Sequence, residues 1–61
     1  MKQIQVIFQS HNGVNGAKLD YCREQAPTQD RNVAEAWARD WCNTLTKRER
    51  CEFSYRIEIW N

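Results

Sequence analysis

Three cysteines and one histidine are the residues of this chain best suited to chemistry, and the chemistry they suggest is zinc binding. Structural zinc sites normally present at least one close ligand pair such as Cys-x-x-Cys. Cys22, Cys42 and Cys51 form no such pair. Once the elements below are placed, His11, Cys42 and Cys51 fall at one end of the domain and Cys22 at the other. That leaves three ligands and no fourth. The expectation is therefore cysteines behaving as small buried hydrophobes, with no metal and no cofactor. Cys42 and Cys51 are placed near enough to bridge in an oxidising environment, but an odd cysteine count does not describe a disulfide framework.

Catalysis needs a nucleophile, a base within reach and a group that orients the base. His11 sits in a turn, and no Ser or Cys has such partners at a recognisable spacing. Asp and Glu are scattered over solvent faces. The chain is expected not to be an enzyme. The glycine-bearing segment 11–16 invites comparison with a phosphate cradle, yet it lacks the Lys-Ser/Thr pair and the following helix that a P-loop requires.

Nine Lys and Arg against eight Asp and Glu leave a net charge of +1. Nucleic-acid modules usually carry a basic excess, because phosphate neutralisation supplies most of their affinity. The local cluster of Lys47, Arg48 and Arg50 lies at the expected end of a helix, where cations complement the helix dipole. Nucleic-acid binding through that cluster is the alternative expectation, with Arg39 and Lys18 adding charge and Trp60 or Tyr21 stacking on bases.

The elements that must position these residues follow from a hydrophobic period that changes twice. Ile4, Val6 and Phe8 alternate with glutamines, which predicts a strand over residues 2–9 with Ile7 pointing outward. Two Asn-Gly steps in segment 11–16 predict a hairpin. A weaker strand over 17–23 follows, with Ala17, Leu19 and Tyr21 on one face and Lys18, Asp20 and Cys22 on the other. Pro27 then forces the helix to begin after it, capped by Asp30 or by Asn32 with Glu35. The helix is expected to run from about 29–32 to about 46–48, burying Val33, Ala34, Trp37, Ala38, Trp41 and Leu45. Complete burial of Trp41 implies that its loss costs about 3–5 kcal/mol. Phe53, Tyr55, Ile57 and Ile59 alternate with Glu52, Ser54, Arg56 and Glu58, predicting the third strand.

These elements predict a single α+β domain over residues 1–61, with ββαβ topology. The sheet is three-stranded and antiparallel, in order 2-1-3, with one helix packed on one face. A domain this small buries only about 60% of its unfolded surface, so the seven aromatics carry much of its core. The opening MKQIQVIFQ contains no continuous apolar run, so neither a signal peptide nor a membrane span is expected, and the chain is placed in the cytoplasm.

Trp60 shares the outer face with Arg56 and Glu58, near Ile7 across the sheet. An aromatic there is costly to leave wet, and the third strand is an edge of high β-propensity. Ile7, Arg56, Glu58 and Trp60 are thus the expected contact residues for a protein partner, or for a homodimer through the third strand. Small motif-free domains containing Trp serve as inhibitors or adaptors among phage and mobile-element products. That comparison is one of size and style.

Overall fold

Alternation in the first strand places Ile4, Val6 and Phe8 on one face, and all three are buried. The computed structural model describes residues 3–60. They form β1 (Gln3–Ser10), β2 (Leu19–Gln25), α1 (Arg31–Glu49) and β3 (Phe53–Trp60), with a short 3-10 turn at Val14–Gly16. The sheet is antiparallel in the order β2-β1-β3, so the most apolar strand is central. This is the ββαβ arrangement expected from the two changes of period.

The hairpin closes through the second Asn-Gly step. Asn15 and Gly16 both take positive φ, 59° and 76°, as a type I′ turn requires, and the Ala17 amide donates to the Val14 carbonyl at 3.2 Å. Gly13 is needed for a different reason. A Cβ there would lie 2.8 Å from the Ala17 carbonyl oxygen, which accepts from the Gly13 amide.

Strand β2 departs from the expected bounds and parity. It starts two residues later, at Leu19, because the turn occupies the chain up to Ala17. Between Phe8 and Gln9 the register shifts: Phe8 pairs with Cys22, whereas Gln9 pairs with Asp20. Tyr21 is therefore the extra residue of a β-bulge. One inserted residue reverses alternation, so Cys22 shares the helix-side face with Phe8 rather than lying opposite it. The Gln9 side-chain amide donates to Asp20 at 3.0 Å beside the bulge.

Asp30 is the helix cap: its Oδ1 accepts from the amides of Asn32 at 2.9 Å and Val33 at 3.3 Å. Asp30 is itself held by Thr28, whose hydroxyl accepts from the Asp30 amide. At the far end Arg50 takes the left-handed conformation, φ 56° and ψ 34°, that glycine normally supplies.

The helix face is rotated from the expected arc. Its buried residues are Ala34, Ala38, Cys42 and Leu45, while Val33 is 54% exposed and Trp41 42% exposed. Small residues let the helix backbone approach the sheet closely, and the bulky Trp41 side chain is displaced to its flank. The expected 3–5 kcal/mol for Trp41 is corrected on this ground. Trp37 retains a core role, tilted against Phe8 at 6.5 Å between centroids and joining the two buried clusters with Ile57.

Candidate functional site

Strand β3 has no bulge: each residue from Phe53 to Trp60 pairs in continuous register with β1. Its inner row, Phe53, Tyr55 and Ile57, packs into the core beneath α1, with Ile59 at the rim and 46% exposed. The outer row is Ser54, Arg56, Glu58 and Trp60. Because β3 bounds the sheet, its second backbone edge faces no strand of this chain among the described residues.

The outer row is held in place by its own contacts. Arg56 Nη2 lies 3.4 Å from Glu58 Oε2, and the other Glu58 oxygen accepts from Trp60 Nε1 at 3.1 Å. These are i, i+2 neighbours on one face, so strand geometry alone brings them together. Arg23 then reaches across from β2 and places its guanidinium 5.0 Å from the Trp60 ring centroid. Trp60 remains 41% exposed.

Ile7 lies on this outer face, as parity requires, but it is only 6% exposed. It pairs with Arg23 on one side and Arg56 on the other, and the long stems of both arginines cover it. Gln5, 8% exposed, continues the same floor. Ile7 is therefore the base of the surface and presents almost no contact area of its own. Beside it opens a shallow depression of about 390 Å³ that includes Asp20, Arg23, Arg56 and Glu58 in its walls. The floor joins apolar Ile7 to polar Gln5, and the walls are mixed in charge.

The cysteine–histidine constellation takes a different form. The His11 amide donates to the Glu52 carbonyl at 2.9 Å, tying the end of β1 to the start of β3. Its ring is engaged with Ser54 Oγ at 3.0 Å and lies 3.9 Å from Glu52. Cys22, expected at the opposite end, instead packs against the same cluster as Cys42 and Cys51, because the later start of β2 sets it beside Phe8 and the bulge turns it inward. Among the described residues no group of three His, Cys, Asp or Glu side chains is gathered as a metal site, and all three thiols are free. Burial pushes the Cys42 thiol up from its ordinary value. At Cys22 burial acts first, Glu24 adds to it, and Arg48 opposes.

Lys47, Arg48 and Arg50 are all exposed. Arg48 Nε lies 3.3 Å from the Glu49 carboxylate. A cleft of about 210 Å³ separates α1 from β2, floored by Phe8 and Leu45 and flanked by Trp41, Tyr21 and Cys22. The small-residue spacing Ala34, Ala38, Cys42 was the available signal, since it marks the true helix face and puts Trp41 beside it.

No protein-family model, curated protein or solved structure matches the chain. No helix among the described residues is long and apolar enough to cross a membrane.

Proposed function

We propose that this chain is a small non-enzymatic protein–protein interaction module whose contact surface is the third strand. The observation that carries the reading is the continuous, unbulged edge of β3 beside a pre-ordered outer row of Arg56, Glu58 and Trp60. Edges of this kind bind partners by strand addition, where backbone hydrogen bonds give affinity and flanking side chains give specificity. Ordering the three side chains before contact reduces the entropy lost on binding. Arg23 belongs to the surface through Trp60, and Ile7 supports it from below. Within this class, an inhibitor or adaptor of the phage or mobile-element kind, acting on a host protein in the cytoplasm, rests on size, Trp content and the lack of a catalytic constellation.

Partner capture from a native host extract, followed by affinity measurement on the recovered protein, tests the reading. Trp60→Ala is expected to weaken binding by at least about 2 kcal/mol while leaving the circular dichroism spectrum unchanged. If Trp60→Ala and Arg56→Glu both leave every recovered partner bound with unchanged affinity, the surface is wrongly assigned. The nucleic-acid alternative, through Lys47, Arg48 and Arg50, is disfavoured by a net charge of only +1. It requires affinity that falls steeply with added salt, and the protein-partner reading does not.

A further inference from the structure

We propose that the free edge of β3 takes a second copy of this chain, the two β3 strands pairing antiparallel about a two-fold axis through Ile57. This rests on the reading of β3 as the contact surface and names its occupant. In an isologous antiparallel pair, residues equidistant from the axis stand opposite each other and point to the same face. With Ile57 on the axis, Arg56 faces Glu58 of the second copy, and Glu58 faces its Arg56. On the helix side Tyr55 meets Ile59 of the second copy, and Ile57 meets its counterpart.

Charge selects this register. An axis through Arg56 sets Arg56 against itself, and an axis through Glu58 sets Glu58 against itself. An axis through Tyr55 opposes Glu58 to Glu52. Like charges directly opposite destabilise a ladder, whereas opposite charges support it. Axes further out shorten the paired length. Ile57 thus gives nearly full overlap of Phe53–Trp60 with both outer ionic pairs favourable.

Exposure agrees with the same pairing. Ile59 is 46% exposed at the sheet rim, on the helix side, and Tyr55 of the second copy would cover it. The other sheet edge does not offer this. Strand β2 is broken by the bulge at Tyr21 and carries Asp20, Arg23 and Glu24, which is how natural edges are kept unpaired. A two-fold axis perpendicular to the sheet joins two copies into one continuous sheet with both helices on the same side.

Sedimentation equilibrium on the full chain, taken to about 1 mM, tests the proposal and reads even a weak dimer. Wild type is expected to dimerise. Arg56→Glu and Glu58→Arg each raise the dimer dissociation constant by at least about tenfold, because the axis repeats every change in two pairs. Mixed in equal amounts, these two variants form a heterodimer, since each outer pair is then Glu against Arg. The double variant R56E/E58R dimerises like wild type. Amide hydrogen exchange supplies a check free of substitutions: β3 amides are protected more strongly as wild-type concentration rises. A wild-type monomer at the highest concentration overturns the second copy as partner. It leaves the contact-surface reading to the Trp60→Ala affinity measurement on a heterologous partner. Dimerisation unaffected by both single variants, or not restored by mixing, overturns the Ile57 register.

Discussion

The guanidinium of Arg23, on one edge strand, lies over the ring of Trp60, on the other, 5.0 Å from its centroid. The two residues are not level. Arg23 pairs with Ile7 and Trp60 with Gln3, so the arginine runs diagonally across the face of β1. The contact closes the outer face over Gln5 and Ile7, where no helix lies. It substitutes for a second layer with two side chains.

That contact should be measurable as a coupling. In a double-mutant cycle of Arg23→Met and Trp60→Leu, followed by urea unfolding, the interaction energy is expected at about 0.5–1 kcal/mol, the range for exposed cation–π pairs. Additive losses would mean that the two side chains cover the sheet independently.

The rotated helix face predicts an order of costs. Phe8→Ala removes a fully buried ring and should cost about 3–5 kcal/mol, enough to unfold most molecules of so small a domain. Trp41→Ala, with much of the indole already in water, should cost only about 1–2 kcal/mol. Ala38→Leu forces extra volume between helix and sheet and should cost about 1–3 kcal/mol despite being more hydrophobic. Chemical denaturation of the three variants checks the order, and Trp41→Ala unfolding more readily than Phe8→Ala would contradict the face assigned.

Arg50 offers a gain. Its left-handed conformation is unfavourable for any residue with a Cβ, and glycine removes that strain while adding backbone entropy to the unfolded chain. The net expectation for Arg50→Gly is about 0.5–1 kcal/mol of added stability, read as a higher urea midpoint at an unchanged slope.

The thiols set an alkaline limit. Burial raises Cys42, and burial with Glu24 raises Cys22, both from an ordinary value of 9.0. Below that value both states keep their thiols protonated and this contribution is intact. As pH rises toward and through the raised folded values, the unfolded chain releases protons first, the folded chain binds more, and stability falls. A Cys22→Ser/Cys42→Ala variant should show a flatter decline between about pH 8 and pH 10 in urea melts. Thiol-reagent kinetics should find Cys42, the most buried of the three, the slowest to react.

Much of this architecture is readable in the residues because β1 and β3 obey simple alternation and Asp30 follows a proline-marked break. What escaped has physical causes. A bulge inserts one residue without a compositional mark, so Cys22 and the residues after it are assigned to the wrong face. Hydrophobicity ranks Trp41 above Ala34 and Ala38, whereas helix-to-sheet distance ranks them the other way. Arg56, Glu58 and Trp60 follow from parity alone. The part of Arg23 does not, since it depends on a register that the bulge itself creates. Ile7 points outward as expected, but its burial depends on the lengths of its neighbours' side chains.

The placement of β1 at the centre of the sheet also orders events on the ribosome. This strand is synthesised before either neighbour, and β3 emerges only after the whole of α1. Until Phe53 and the residues after it leave the exit tunnel, one side of β1 has no strand to pair with, and the core around Val6 and Phe8 lacks Phe53, Tyr55 and Ile57. The domain therefore completes its core late, through contacts between distant parts of the chain, which are the slowest kind to form. A nascent chain stalled within the helix is left with a bare, aggregation-prone edge on its most apolar strand.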